Sequence, residues 1–474
     1  MKKYHKFLSK ILKKITPKPK EERKIKLIAK KILETATSIA FFHKAEVILA
    51  GSLTRDTWLP NKNEIDVFIL FPKNLSLKQL EEIGLDTGKK IIESLKGKWT
   101  IEYAQHPYIR GTINGISIDI VPCYKLEKGE KIISAVDRTQ FHVKYLEEKL
   151  PKEARNEVRL LKQFLKANDL YGADAKTNGF SGYLCELLII QYKSFLNLLQ
   201  AVKNWKVKEI IDIEKQWKKE DYNHLKKKFK DEILIVIDPV DKERNVASAV
   251  NAYNFFKFKK LATEFLEKPK EEFFFKKEIK PLSAKEFEKI VKERGTDIIA
   301  IIFDPPKVVP DILWPQLRKT TKRLENILKE YEFYVLKSDC WSNEKDLAVI
   351  ILEMQVSRLP QIDKIVGPWV FDEKNARNFA EKHKNDAVAG PYIEDNYWVV
   401  EVYRKWTSAR IKLIDSISES KDILQHKGIP NFIAEELSKK FKVIGSDELK
   451  KYLRNRDFAI FMRSYFEKEN LALI

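Results

Sequence analysis

An apolar segment that carries two carboxylates one residue apart is the strongest constraint in this chain. In EIDVFILF, residues 64–71, apolar side chains alternate with Glu64 and Asp66. This two-residue period predicts a β-strand with both acids on one face and with Ile65 and Val67 on the other. Two like charges on one strand face repel each other unless a cation lies between them. The segment therefore predicts a divalent metal site on a sheet.

A Gly-Ser turn precedes this strand, and a third acid follows it. Gly51-Ser52 ends the strand-like run EVILA, and we expect a helix to start at Ser52. Backbone N–H groups at a helix N-terminus attract anions, so this turn can cradle a triphosphate. Asp119 alternates with apolar residues in GISIDIVPCY, which predicts a neighbouring strand. Two carboxylates that hold Mg²⁺, with a third that positions and deprotonates a hydroxyl, are what in-line nucleotidyl transfer requires.

Each part of this pattern has a simpler interpretation when it is taken alone. Ser52 would be an ordinary helix N-cap, and acids on a strand commonly lie on a solvated sheet face. The complete order of turn, paired strand acids and second-strand acid favours metal-dependent nucleotidyl transfer over these interpretations.

The charge balance favours a polyanionic partner. The 474 residues include 89 Lys and Arg against 69 Asp and Glu, which gives a formal charge of +20. Such an excess makes nucleic acid the first candidate. The length suffices for roughly three domains with substantial cores.

Cysteine usage and hydropathy exclude several classes of protein. Cys123, Cys185 and Cys340 lie far apart without CxxC spacing, which argues against a zinc site or a disulfide framework. The same usage favours a reducing interior, so we expect a cytoplasmic location. No stretch approaches ~18 uninterrupted apolar residues, so we expect no segment that spans a membrane.

The periodicity of the chain predicts an α+β fold with several domains. Residues 1–40 read as two helices separated by TPKPK, and residues 45–125 read as an α/β unit. Residues 145–265 have a mostly helical pattern, and residues 266–474 open with a βαββ order.

A basic stripe is predicted on the helix of PKEARNEVRLLKQFLKAND. Arg155, Arg159, Lys162 and Lys166 recur at helical spacing, while apolar residues form another face. Such a stripe is usually a solvated face, but beside a triphosphate site it can act as a phosphate clamp. The next helix, GYLCELLIIQYKSFL, is expected to be buried, and we interpret its Tyr183 as a core residue.

Several longer blocks carry a family resemblance over essentially the whole chain. The Gly-Ser turn with EIDVF and IDIVP resembles the DNA polymerase β-type nucleotidyltransferase superfamily. More narrowly, the chain resembles the archaeal-type (class I) CCA-adding enzymes, which are tRNA nucleotidyltransferases. The blocks that carry this narrower resemblance follow the family's order: GSLTRDTWL, EIDVFILFP, IDIVPCY, AVDRTQFH, LKQFLKANDLYG, GFSGYLCELL, DPVDKERNVASAV, VGPWVF and AGPYIEDNYWVVEVYR.

The resemblance implies a polymerase β-like head with a mixed sheet and an Mg²⁺ site. Glu64, Asp66 and Asp119 would be the catalytic, metal-binding residues, and Asp119 would lie nearest the primer 3′-hydroxyl. Glu64 stands where many superfamily members have Asp, and its oxygen ligands are equivalent in kind. Gln140 stands where the family motif often has Pro, which removes no functional group.

The resemblance also implies a nucleotide pocket. Ser52 and Arg55 would contact the triphosphate, joined by Lys162 and Tyr171 from a helical neck. Arg244 would face the incoming nucleobase, for which its rigid set of donors is suited. Without the resemblance, Arg244 would be interpreted as half of a surface salt bridge. The remaining members of the pocket would be Thr139, His142 and His106.

Four domains and one reaction follow from the resemblance. The expected domains are a catalytic head at 1–145, a helical neck at 146–265, an α+β body at 266–374 and a tRNA-binding tail at 375–474. The implied reaction adds C, C and A in turn to the tRNA 3′ end from CTP and ATP, without a nucleic-acid template. The C-terminal domains would recognise the tRNA acceptor stem and TΨC region by shape. A homodimer is a further expectation.

Two other functions stay open. A poly(A)-type or oligonucleotide-synthesising transferase would share the Gly-Ser turn and the paired acids. A noncatalytic tRNA-binding protein would retain the fold without the reaction, and the three intact acids argue against it.

Overall fold

The chain folds into two units in the computed structural model. One comprises Met1–Glu278 together with Asn470–Ile474, and the other comprises Ile279–Glu469. The structure describes residues 2–61, 64–103, 107–127, 130, 132–276 and 278–472. Within those ranges, no helix combines the length and the apolar composition that crossing a membrane demands.

The first unit joins an α/β segment to a mostly helical one. Its helices are α1 (Lys2–Ile15), α2 (Pro19–Ala40), α3 (Leu77–Ser94), α4 (Thr139–Lys149), α5 (Arg155–Ala167), α6 (Gly182–Tyr192), α7 (Phe195–Asn204), α8 (Tyr222–Lys228) and α9 (Ala252–Glu267). Its strands are β1 (Glu46–Ala50), β2 (Glu64–Phe71), β3 (Lys98–Tyr103), β4 (Pro107–Ile113), β5 (Ile116–Tyr124), β6 (Glu209–Ile211), β7 (Leu234–Asp238) and β8 (Asp241–Asn245).

The α/β segment forms the mixed sheet that was expected. Its strand order is β1-β2-β5-β4-β3, in which β2 and β5 are parallel and the other neighbours are antiparallel. Along β2, Ile65, Val67 and Ile69 are buried in a core that also contains residues of α2 and α3. The predicted alternation of β2 is therefore confirmed, and its acids lie on the face opposite this core.

Local sequence signals set the starts of the two helices that share this core. Pro19 begins α2, where its missing N–H removes no helical hydrogen bond. Ser76 and Gln79 form a capping box at the start of α3. The Ser76 hydroxyl accepts from the Gln79 N–H at 3.3 Å, and the Gln79 side chain accepts from the Ser76 N–H at 2.9 Å.

An aromatic cluster centred on Phe164 of α5 organises the helical segment. Phe164 is fully buried, and its ring centroid lies between 5.5 and 6.3 Å from those of its aromatic neighbours. Those neighbours are Phe195, Phe258, Phe265, Phe273 and Phe274. Helix α1 joins the same cluster, since Phe7 packs on Phe265 with centroids 6.1 Å apart.

A short sheet within the helical segment was missed from the sequence. Its strand order is β6-β7-β8, and the Asp-Pro turn connects β7 to β8. Arg244 lies on β8, and the chain returns to helix only at α9. Strands of three to five residues are too short to show a clear two-residue period.

The second unit contains two further sheets with helices. Its helices are α10 (Ala284–Arg294), α11 (Pro310–Glu330), α12 (Glu373–Lys382), α13 (Ala409–Ile417), α14 (Lys421–His426), α15 (Asn431–Lys439), α16 (Ser446–Leu449) and α17 (Arg456–Phe466). Its strands are β9 (Asp297–Phe303), β10 (Val335–Ser342), β11 (Ala348–Met354), β12 (Ile362–Trp369), β13 (Ala387–Glu394), β14 (Tyr397–Tyr403) and β15 (Lys442–Gly445).

The predicted βαββ order is present as β9-α11-β10-β11. These strands form a sheet with the order β10-β11-β9-β15, and the other sheet has the order β12-β14-β13. Both sheets pair strands from the two sides of the expected boundary at residue 374. The division of the chain into four domains stays a prediction.

Truncation of Phe164 tests the aromatic cluster. Phe164→Ala removes a buried ring and leaves a cavity, so we expect the free energy of unfolding of the first unit to fall by about 3–5 kcal/mol. Urea unfolding followed by circular dichroism measures this loss. Phe41→Ala is the matched control, because Phe41 is 77% exposed, and it should change stability by at most about 0.5 kcal/mol. Equal losses in the two variants would contradict the role of the cluster.

Candidate active site

Two of the three predicted metal-binding acids are direct neighbours on adjacent strands. Asp66 of β2 pairs in register with Asp119 of the parallel strand β5, so both side chains lie on one face of the sheet. Glu64 lies two residues before Asp66 and therefore on the same face. The three acids therefore form a carboxylate-lined surface on the adjacent strands β2 and β5.

Gly51 brings backbone against this surface. Its φ is +76°, and a Cβ built at this position would lie 2.2 Å from Asp66 Oδ2. A side chain there would displace the carboxylate, so only glycine allows this close approach. Hard cations such as Mg²⁺ prefer clustered oxygen ligands, and the acids on this face fit that requirement.

The prediction that a helix starts at Ser52 is wrong. Ser52 is buried, and residues 52–56 form turns in which the Thr57 N–H donates to the Ser52 carbonyl at 3.0 Å. Asp56 has a φ of 53°, a left-handed conformation that does not propagate a helix. The anion-binding potential of this segment therefore comes from turn N–H groups rather than from a helix N-terminus.

Arg110 is a member of the site that sequence reasoning missed. It lies on β4 directly across from Asp119, and it donates from Nε at 2.8 Å and from Nη2 at 2.7 Å to the two carboxylate oxygens. These hydrogen bonds raise the pKa of Arg110. In the part of the chain that the structure describes, no three His, Cys, Asp or Glu side chains form a ready-made metal cage.

Arg55 and Lys162, two of the predicted triphosphate contacts, meet at the buried carboxylate of Glu186. Arg55 Nη2 lies 2.9 Å from Oε2, and Lys162 Nζ lies 3.1 Å from Oε1. The Thr57 hydroxyl donates to Oε1 at 2.5 Å. The Lys162 and Glu186 side chains are only 2% and 1% exposed. Two cations share one carboxylate, so this group keeps a net positive charge that suits a polyphosphate.

The positive charges around Glu186 keep it ionised. Burial alone would raise the pKa of its carboxyl group, but Lys162, Arg55 and the Thr57 hydroxyl hold that pKa below its usual value. The sequence-based prediction of a buried helix assigned no role to Glu186. The signal that identifies it is a single charge in the middle of the buried helix α6, which must have partners there.

Tyr171 lies near both the Glu186 group and the acids of β2. A Cβ built at Gly182 would lie 3.1 Å from the Tyr171 hydroxyl and 3.9 Å from Lys162 Nζ. Burial raises the pKa of Tyr171, and the charges of Glu64 and Asp66 raise it further. The structure thus brings Tyr171 into the neighbourhood of both groups.

The predicted basic stripe on α5 is only partly correct. Arg155 is half-buried and Lys166 is exposed, but Arg159 and Lys162 are buried. Arg159 donates to the Trp58 carbonyl at 3.1 Å and pairs with Asp56. Spacing alone showed that these residues share a helix face, but it could not show that the turn before β2 covers that face.

His142 and Arg244 are brought together by the buried carboxylate of Asp238. Arg244 Nη1 and His142 Nε2 lie 2.6 and 2.9 Å from its Oδ2, and the Tyr183 hydroxyl donates to its Oδ1 at 3.1 Å. Burial would raise the pKa of Asp238, but His142 and Arg244 hold it below its usual value. Tyr183, interpreted as core, also packs its ring on His142 with centroids 4.1 Å apart.

The remaining predicted residues are placed as follows. Thr139 is the first residue of α4 and is half-buried, one turn before His142. Gln140 accepts from the Leu126 N–H and donates to the Tyr124 carbonyl, so it ties α4 to the segment that follows β5. His106 lies outside the described residues.

Three family models match the chain in sequence order. A nucleotidyltransferase domain matches residues 23–142, the second domain of tRNA nucleotidyltransferase matches residues 156–275, and the C-terminal domain of CCA-adding enzyme matches residues 294–446.

Curated relatives and a solved structure are also similar to this chain. It is 39% identical to the CCA-adding enzyme of Archaeoglobus fulgidus, over 77% of this chain and 79% of the relative. Identity to the CCA-adding enzyme of Methanocaldococcus jannaschii is 43%, over 79% and 83% of the two chains. The CCA-adding enzyme of Methanosarcina mazei is 34% identical over 96% of this chain and 97% of its own. A cytoplasmic RNA terminal U-transferase has a TM-score of 0.46 and 13% identity over 59% of this chain and 100% of that chain.

The curated relatives exceed 30% identity over most of both chains, and the three models cover the sheet, the helical segment and the second unit. The resemblance found in the sequence blocks is therefore confirmed. This chain belongs to the archaeal-type CCA-adding enzymes, a family of nucleotidyltransferases.

Proposed function

We propose that this protein adds C, C and A in turn to the 3′ end of tRNA, from CTP and ATP, with release of pyrophosphate and without a nucleic-acid template. The observation that carries the proposal is the in-register pair of Asp66 and Asp119 beside the Gly51 backbone. That arrangement, in a chain of this family, is suited to metal-dependent transfer of a nucleotide to a hydroxyl.

The acids of the sheet would hold Mg²⁺ and position the attacking hydroxyl. Glu64, Asp66 and Asp119 would be the ligands, and the metal would supply charge neutralisation at the phosphate oxygens. Asp119 lies nearest the primer 3′-hydroxyl and accepts its proton. Arg110 contributes by orienting Asp119, since its two hydrogen bonds define the plane of that carboxylate.

The triphosphate binds through residues that Glu186 has already oriented. Arg55 and Lys162 face the phosphates, with the Tyr171 hydroxyl and the buried turn residue Ser52 beside them. Because these groups are held by buried hydrogen bonds before the substrate arrives, little reorganisation accompanies binding. The chain has almost no covalent chemistry to perform, so positioning dominates catalysis.

The proposal also covers contacts with the nucleobase, recognition of the tRNA and the assembly of the protein. Arg244 faces the nucleobase, Thr139 and His142 line the rest of the pocket, and His106 is assigned to nucleotide binding from the family resemblance alone. The excess of 20 positive charges suits the phosphate backbone of tRNA. The C-terminal domains recognise the acceptor stem and the TΨC region of the tRNA. We further propose the division into head 1–145, neck 146–265, body 266–374 and tail 375–474, a homodimeric assembly and a cytoplasmic location.

Sequencing of the product tests the reaction. A tRNA that ends at its discriminator base is incubated with Mg²⁺ and all four NTPs, and the 3′ ends are then sequenced. We expect CCA followed by a stop. Long A-tails, or UTP use comparable with CTP, would contradict the proposal and favour a poly(A)-type or oligonucleotide-synthesising transferase. No incorporation would favour a tRNA-binding role.

Asp66→Asn tests the metal-binding acids. Loss of one ligand removes several kcal/mol of charge stabilisation in the transition state, so we expect turnover to fall at least about 10²-fold. Single-turnover CTP incorporation measures it. The matched control is Asp86→Asn on the outside of α3, where the exposed Asp86 pairs with Lys90, and it should retain full turnover. Incorporation by Asp66→Asn at the level of this control would show that the assigned site is wrong.

Lys162→Met tests the triphosphate contact. A charge-assisted hydrogen bond contributes about 1.5–3 kcal/mol, so we expect KM for both CTP and ATP to rise at least about tenfold. Lys166→Met, one turn later on the exposed side of α5, is the control and should leave KM unchanged. If both variants raised KM equally, the effect would come from general charge rather than from the Glu186 group.

A further inference from the structure

The carboxylate of Asp238 has all of its hydrogen-bonding capacity occupied. Its Oδ2 accepts from Arg244 at 2.6 Å and from His142 at 2.9 Å. Its Oδ1 accepts from the Tyr183 hydroxyl and from the Val240 N–H, each at 3.1 Å. A carboxylate offers about four acceptor positions, so four donors saturate this buried group.

This saturation decides which nitrogen of His142 carries the proton. An ionised carboxylate only accepts hydrogen bonds, so Nε2 of His142 must be the protonated nitrogen that donates to Asp238. In the neutral ring, Nδ1 is then an acceptor. The His142 side chain is 17% exposed, and Nδ1 has no hydrogen-bond partner among the residues that the structure describes.

The same carboxylate orients Arg244 and leaves most of its donors available. Nη1 contacts Asp238, and the side chain is 35% exposed. Across the described ranges the guanidinium makes no other hydrogen bond, so its remaining N–H groups can meet a ligand. His142 and Arg244 share one oxygen of Asp238, so their side chains are neighbours at this carboxylate.

Cytosine and adenine share a pattern of hydrogen-bond donors and acceptors that is reversed in uracil and guanine. On the edge used for base pairing, cytosine and adenine present an acceptor ring nitrogen beside an exocyclic amino donor. Uracil and guanine present a ring N–H donor beside a carbonyl acceptor. The donors of Arg244 beside the Nδ1 acceptor of His142 complement the first pattern. Against the second pattern, donor faces donor, which leaves polar groups unpaired and costs binding energy.

We propose that Asp238 is a positioning residue that sets base choice, because it holds His142 in the Nε2–H form and fixes the pose of Arg244. The pocket then accepts cytosine and adenine and rejects uracil and guanine. This inference rests on the proposed function, since it takes Arg244 to face the base. A second contact, from Arg138 to Asp241 at 2.9 Å, keeps the hairpin of β7 and β8 in place independently of Asp238.

Asp238→Asn is the test variant. The amide keeps the shape of the side chain but removes its negative charge and replaces one acceptor oxygen with a donor, so the four donors around it can no longer all be satisfied. We expect incorporation of UTP and GTP relative to CTP and ATP, measured as kcat/KM ratios on tRNA, to rise at least about tenfold. The Mg²⁺ concentration that gives half-maximal rate and the affinity for tRNA should stay at wild-type values. An equal loss with all four NTPs, at unchanged ratios, would overturn the inference.

Glu243→Gln is the matched control. Glu243 lies on the same strand β8, is exposed and pairs with Lys228, so the change also converts one carboxylate of the hairpin into an amide. This variant should keep the wild-type NTP ratios. A loss of selectivity in Glu243→Gln of the same size would show that hairpin charge, rather than Asp238, sets the ratio.

A measurement on the wild-type protein keeps the inference testable even where Asp238→Asn does not fold. With ¹⁵N-labelled histidine, the nitrogen shifts of the neutral His142 ring should be those of the Nε2–H tautomer. His142→Gln identifies the signal. The Nδ1–H tautomer would overturn the inference. If the wild-type enzyme adds no CCA, the proposed function fails; if it adds CCA and Asp238→Asn retains selectivity, only this inference fails.

Discussion

The parallel pairing of β2 with β5 is the constraint on which the rest of the first unit depends. It places Asp66 beside Asp119 at the spacing of neighbouring strands, where two like charges repel each other. Neighbouring residues reduce that repulsion. Arg110 on β4 neutralises Asp119, and Gly51 leaves the room that the Asp66 carboxylate needs.

Buried carboxylates hold the cations that are assigned to the nucleotide. Glu186 holds Lys162 and Arg55, and Asp238 holds Arg244. In both groups the carboxylate has no contact with solvent, while at least one cation partner keeps donors that a ligand can use. A charged substrate therefore meets side chains whose orientation is already set, which is how a protein lowers the reorganisation that accompanies catalysis.

The sheet acids could be predicted because a two-residue period is a local property of the sequence. The partners of those acids could not, because they are set by contacts between distant segments. Arg110 faces Asp119 only through the register of β4 with β5. Glu186 was visible as a lone charge in an apolar helix, but nothing in the sequence identified its partners. The prediction of a helix after Ser52 was wrong because the chain turns at Asp56. The composition of the segment does not reveal the left-handed backbone of that residue.

The Glu186 group also has a consequence for the order in which the first unit is assembled during synthesis. Arg55 and Glu186 are 131 positions apart, and helix α5 holds the turn before β2 through Arg159 and the Trp58 carbonyl. A nascent chain that ends before α6 thus contains the acid-bearing sheet, Arg55 and Lys162 but lacks the carboxylate that these two cations share. The sheet and its acids are therefore complete in the growing polypeptide before Arg55 gains its Glu186 partner, which requires translation of the helical segment.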